Sequence, residues 1–121
     1  FQHGGDPLQR QVAAVLERSV RESDIVARYG GEEFVILLPE TSLEQAHMLA
    51  ERLRFAISTI ALPFLTETDR RLTVSCGIAA YPETAATPDA LLRNADQAMY
   101  RAKQEGRNRV IISPLRHVDV A

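Results

Sequence analysis

The chain has a single cysteine, no long apolar run and no excess of positive charge, and each shortage removes a class of protein. One thiol, Cys76, cannot close an internal disulfide and has no Cys or His at ligand spacing beside it. A disulfide-built secreted scaffold and a zinc finger are therefore excluded. His3, His47 and His117 are too scattered to form a metal site. The longest apolar stretches are four or five residues, such as Phe34 to Leu38, far short of the roughly 20 that a membrane span requires. Fourteen Lys and Arg against sixteen Asp and Glu leave a net charge of −2, which argues against a nucleic-acid polymer or an anionic membrane surface as partner. The first residue is Phe1 rather than Met, and no signal peptide follows. The expectation is a piece of a longer polypeptide in the reducing cytoplasm, with membrane attachment of the parent left open.

What is present is enough apolar material, 45% of 121 residues, to fill one core, so residues 1–121 read as one domain. From Pro7, apolar residues at Leu8, Val12, Val15, Leu16 and Val20 form one helical stripe, with Asp6 as N-cap and Pro7 at the first helical position. Ile25 to Tyr29 and Phe34 to Leu38 read as strands, joined at Gly30 and Gly31, which permit the positive φ of a tight hairpin. Thr41 and Glu44 have capping-box spacing ahead of a long stripe, Leu43 to Ile60, which Pro63 stops. A polar stretch, Thr66 to Arg71, precedes an alternating strand from Leu72 to Ala79. Thr87-Pro88 opens a third helix whose stripe is Leu91, Leu92, Ala95, Ala98, Met99 and Ala102, with Gly106 as its C′ residue. Arg109 to Ile112 is a last short strand, and 114–121 is expected to fray. The order α-β-β-α-β-α-β predicts an α+β domain, a mostly antiparallel central sheet flanked by helices.

Three segments could carry chemistry. In Arg28-Tyr-Gly-Gly-Glu-Glu-Phe34, two carboxylates follow two glycines at a hairpin tip. Carboxylates are the hard oxygen ligands of Mg²⁺, and glycine lets backbone approach a polyphosphate; a solvated turn is the plain alternative. Lys103 and Arg107 lie four apart at a helix end, either as capping cations or as a pair held over phosphates. Arg21 and Asp24 are three apart before the first strand, either a surface ion pair or an Arg fork that meets phosphate or guanine.

Taken in order, these segments resemble the GGDEF family, the diguanylate cyclase domains that make cyclic di-GMP from two GTP. The signature reads Gly30-Gly31-Glu32-Glu33-Phe34, the GGEEF variant. Around it stand Asp24-Ile-Val-Ala-Arg-Tyr, Thr73-Val-Ser-Cys-Gly-Ile-Ala, Ala95-Asp-Gln-Ala-Met-Tyr-Arg-Ala-Lys and Gly106-Arg-Asn-Arg-Val, and the likeness runs from about Gly5 to Ile112. The resemblance implies a nucleotide-cyclase, palm-like fold and a catalytic homodimer using Mg²⁺ or Mn²⁺. It implies that Glu32 binds the metal and acts as base, with Glu33 in support. Asp6 would read guanine, Gly30 and Gly31 would line the nucleotide, and Lys103 and Arg107 would hold the triphosphate. Arg21 and Asp24 match the family's RxxD inhibitory site for product, with Arg52 as a further contributor. Asp96 belongs to a family helix motif and is left out of the catalytic set. The family's first strand, with its Asp-x-Asp-like metal motif, and the helix after it are not in this sequence, and Gln2 stands where the family usually has His. A truncated GGDEF domain is therefore expected, with a catalytically inactive cyclic di-GMP receptor as the alternative function.

Overall fold

A computed structural model describes residues 7–29, 33–60 and 72–117. Its elements follow the predicted order: α1 (Pro7–Ser19), β1 (Ile25–Arg28), β2 (Phe34–Leu37), α2 (Leu43–Ser58), β3 (Ser75–Ile78), α3 (Pro88–Gln104) and β4 (Arg109–Ile112). The proposed cap Asp6, the glycines of the hairpin turn, Pro63 and the polar stretch 66–71 lie outside the described residues.

The core forms where the two stripes meet. Val15 and Leu16 of α1 pack with Leu49, Leu53 and Ile57 of α2, and Val26, Phe34, Ile36 and Leu38 of the hairpin lie against them. Burying such a cluster is the main favourable term in folding the chain. The period of two in the hairpin sends the cross-strand pair Ile25 and Leu37 to the other, exposed face. Leu72 and Val74 close the cluster ahead of β3.

The cap of α2 is one residue later than its spacing suggests. Ser42, at φ −70° and ψ 158°, accepts from the Gln45 amide while the Gln45 side chain accepts from the Ser42 amide. Thr41 is engaged elsewhere, donating to the Pro39 carbonyl at 3.0 Å and accepting from Arg21 at 2.6 Å.

The domain is α+β, but its described strands form two pairs rather than one mostly antiparallel sheet. β1 and β2 are antiparallel, from Ile25 opposite Leu37 to Arg28 opposite Phe34. β3 and β4 are parallel, from Ser75 opposite Arg109 to Ile78 opposite Ile112. The reason is the connection: a tight turn returns a strand antiparallel, whereas a helix such as α3 carries the chain back to start a parallel strand. β3 is also shorter than the alternating run 72–79.

α3 lies unusually close to β3. A Cβ at Gly77 would run into the Ala95 carbonyl oxygen and the Met99 amide nitrogen and lie 2.9 Å from the Ala98 carbonyl carbon. The buried helical residues opposite are small, Ala98 and Ala102. Leu92 is 42% exposed, outside the stripe assigned to it. Thr87 caps α3 by accepting from the Ala90 amide at 3.1 Å, as predicted.

The Ser113 amide donates to the Ile78 carbonyl, the Arg116 amide to the Glu83 carbonyl, and the Arg116 guanidinium to the Pro82 carbonyl at 3.0 Å. Backbone partners unseen in the sequence hold this segment as far as Arg116.

Candidate functional site

Two groups of predicted site residues are separated in the fold. The first gathers where the hairpin tip meets the end of α3. Strand pairing stops at Arg28 and Phe34, and the Tyr29 amide then donates to the Glu33 carbonyl at 2.8 Å. That bond fixes the two ends between which the signature glycines sit; Gly30, Gly31 and Glu32, like Asp6, lie outside the described residues. The Glu33 carboxylate is 4.0 Å from the Lys103 ammonium, and each side chain is a little over one-third exposed. At such exposure the pair contributes little to stability and both groups stay available to solvent.

Lys103 stands in the last turn of α3, and Arg107 follows in a turn of three left-handed residues. Gly106, Arg107 and Asn108 have φ of 123°, 63° and 48°. The Arg107 amide donates back to the Ala102 carbonyl at 2.9 Å, ending the helix. The Arg107 side chain is exposed and has no hydrogen-bond partner among the described residues. Lys103 and Arg107 are thus two cations at a helix C-terminus, and among the described residues only Lys103 has a side-chain partner. Around Lys103 is an open cleft of about 390 Å³, lined by Glu33, Asp96, Gln97, Met99, Tyr100, Arg101 and Lys103. Asp96, left out of the catalytic set, is exposed on this surface.

The donor set suits a hard cation shared with phosphates. Among the described residues no group of three or more His, Cys, Asp or Glu could enclose a metal. A magnesium site needs only one or two carboxylates when substrate phosphates complete it. Glu33 is one such oxygen donor at the hairpin tip, and Glu32 is its sequence neighbour.

The second group forms a cleft of about 260 Å³ between the segment after α1 and the first half of α2, and it brings together Arg21, Asp24 and Arg52. Arg21 is bound in detail. Its Nη2 donates to Asp24 Oδ1 at 3.1 Å, to the Pro39 carbonyl at 2.8 Å and to Thr41 Oγ1 at 2.6 Å. The Arg21 amide also donates to Asp24 Oδ2 at 2.8 Å. The Asp24 side chain is only 2% exposed whereas that of Arg21 is 57% exposed: the carboxylate is the buried anchor and the guanidinium faces the cleft. Sequence reasoning missed Thr41 and Ser19, which line the same cleft. No local pattern marks them, because tertiary packing alone brings residues 19, 41 and 52 together.

The hydrogen bond from Arg21 holds the Asp24 carboxyl below its ordinary value, against the opposing effect of burial. A carboxyl lowered by folding stabilises fully above its unfolded value, near 3.9 for Asp, and loses that contribution as pH falls through the lower folded value. The Asp24→Asn variant should therefore be less stable than the parent at pH 6, and the difference should shrink as pH falls below about 4. Urea midpoints across that range test this; a difference that does not shrink would show that Asp24 does not act through its charge.

Cys76, between α2 and α3, is a poor nucleophile. Burial, with help from Glu51, raises its thiol to about 11, so almost no thiolate forms near neutrality.

The domain is thus α+β with a lysine beside a carboxylate at the end of the hairpin and, apart from it, a second, Arg-lined cleft. The sequence profile described as "Diguanylate cyclase, GGDEF domain" matches residues 2–109. The chain belongs to the GGDEF diguanylate cyclase domain family. It is 44% identical over 109 residues to the diguanylate cyclase DgcP of Pseudomonas aeruginosa, matching 90% of this chain and 16% of that protein. It is 42% identical over 110 residues to the response regulator PleD of Caulobacter vibrioides, matching 88% of this chain and 24% of PleD. The chain thus spans a quarter or less of either protein. Among solved structures, the GGDEF domain of YfiN (TpbB) from Pseudomonas aeruginosa aligns with TM-score 0.75 and 38% identity, over 90% of this chain and 68% of that one. The coiled coil and GGDEF domain of DgcB from Caulobacter crescentus, in complex with c-di-GMP, aligns with TM-score 0.75 and 30% identity, over 87% and 56%. No helix among the described residues is long and apolar enough to cross a membrane.

Proposed function

We propose that this domain condenses two GTP into cyclic di-GMP with release of pyrophosphate, and that product binds back at Arg21, Asp24 and Arg52 to inhibit it. The observation that carries the reading is the convergence of Lys103 and Glu33, with Arg107 one turn beyond, at the end of the GGEEF hairpin. Two domains meet face to face, each presenting one GTP. Asp6 reads the guanine base. Gly30 and Gly31 line the nucleotide, and Lys103 and Arg107 neutralise the triphosphate. Glu32 takes the proton from the 3′-hydroxyl of one GTP, with Glu33 supporting it. The freed oxygen bonds to the α-phosphorus of the other GTP, the bond to the bridging β-phosphate oxygen breaks, and pyrophosphate leaves. A second round closes the ring. Magnesium or manganese, held by Glu32 together with the phosphates, supplies charge neutralisation when bound. The lone thiol Cys76 and the use of GTP support a reducing, cytoplasmic setting for such a domain.

A second reading, a receptor that binds cyclic di-GMP without making it, is favoured by the Arg21 cleft, whose described walls include neither Glu33 nor Lys103. One assay separates the two: full-length protein with GTP and Mg²⁺, its products resolved by anion-exchange chromatography. The cyclase reading expects cyclic di-GMP, at a rate that falls more steeply than enzyme concentration on dilution. Strictly linear dilution across the dimerisation range contradicts a site built from two domains. No product from folded protein that binds cyclic di-GMP supports the receptor.

A further inference from the structure

The Arg107 turn is tied down from two sides by residues with no assigned role. On one side, Arg109 lies across Gly106, where an added Cβ would come 2.6 Å from its Nη2, and its Nε donates to the Arg107 carbonyl at 3.0 Å. On the other, Arg54 reaches from α2, and its Nη1 donates to Asn108 Oδ1 at 3.1 Å, a contact between residues 54 apart in sequence. Arg54 is itself aimed. Its Nη2 donates to Glu51 Oε2 at 2.9 Å, and its Nε is buried with no hydrogen-bond partner among the described residues. Left-handed backbone is unfavourable for residues with a Cβ, with Asn among the more tolerant. Arg107 adopts it between two clamped neighbours, with no side-chain partner among the described residues.

We propose that Arg54 is a positioning residue: through Asn108 it holds the left-handed turn that aims Arg107 at the nucleotide phosphates. The guanidinium suits this task because its planar fork binds Glu51 and Asn108 together, in fixed relative directions. The role rests on the reading of Arg107 as a triphosphate cation. A phosphate contact made equally in ground and transition states sets substrate affinity rather than turnover, so its misplacement appears in KM.

The test is a double-mutant cycle in the full-length protein, with GTP KM and kcat as readouts and urea midpoints as control. Arg54→Met is expected to raise KM by about tenfold with kcat changed less than about threefold. Asn108→Gly keeps the left-handed backbone accessible and removes the acceptor; it should reproduce the rise in KM and provides the test if Arg54→Met folds poorly. In an Arg107→Ala background neither change should raise KM further, whereas in a Lys103→Ala background each should multiply it. An Arg107→Ala variant with the parent's KM overturns the phosphate reading and this role with it. If Arg107→Ala raises KM but the Arg54 and Asn108 effects persist undiminished in its background, the positioning role alone is overturned. Losses that track the urea midpoint rather than Arg107 mark Arg54 as merely structural.

Discussion

Gly77→Ala should cost the domain about 3 kcal/mol or more, the upper end of what overpacking produces. The added methyl would meet backbone rather than a movable side chain: the Ala95 carbonyl oxygen, the Met99 amide nitrogen and the Ala98 carbonyl carbon. Backbone inside a helix gives way only if the whole helix moves. α3 is also held through its Thr87 cap and by Asn94, which donates to the Thr84 carbonyl at 2.8 Å. The effect reaches function because α3 ends at Lys103 and leads into the Arg107 turn. Any outward shift of the helix separates Lys103 from Glu33. Equilibrium urea unfolding measures the loss directly, and a loss below about 1 kcal/mol would mean that α3 can slide on β3 without penalty.

Glu32→Ala should lower the rate of cyclic di-GMP formation by about a thousandfold or more, since it removes both the proposed base and the metal carboxylate. Binding of cyclic di-GMP to the same variant should be unchanged. Arg21, Asp24 and Arg52 line a cleft formed by the end of α1, Leu38, Thr41 and α2, with no described residue of the signature hairpin tip among its walls. Turnover and isothermal titration on one preparation give both results. Persistent cyclisation of GTP would remove Glu32 from the chemistry; loss of both activities together would indicate misfolding or coupling between the clefts.

Much of this was legible locally. The stripes of α1, α2 and α3 follow from apolar spacing, because a helix must bury one face whatever it packs against. The hairpin followed from two short apolar runs around a pair of glycines. The candidate residues could be listed from motif order because chemistry restricts which side chains meet phosphate or a hard cation. Less was legible where two elements compete for one group. Thr41 has the spacing of a cap, yet Arg21 and the Pro39 carbonyl take its hydroxyl, so Ser42 caps α2 instead.

The sequence by itself determined the element order, the core stripes and the kinds of chemistry on offer, since these depend on residue type and near-neighbour spacing. Tertiary structure decided the rest. It made β3 and β4 parallel, placed Glu33 beside Lys103, buried Asp24 under Arg21, and joined Arg54 to Asn108. Apart from Arg21 and Asp24, which are three residues apart, these are joins between segments far apart along the chain. No local periodicity encodes such distances; they follow only when helices and strands have packed and their remaining polar groups must find partners.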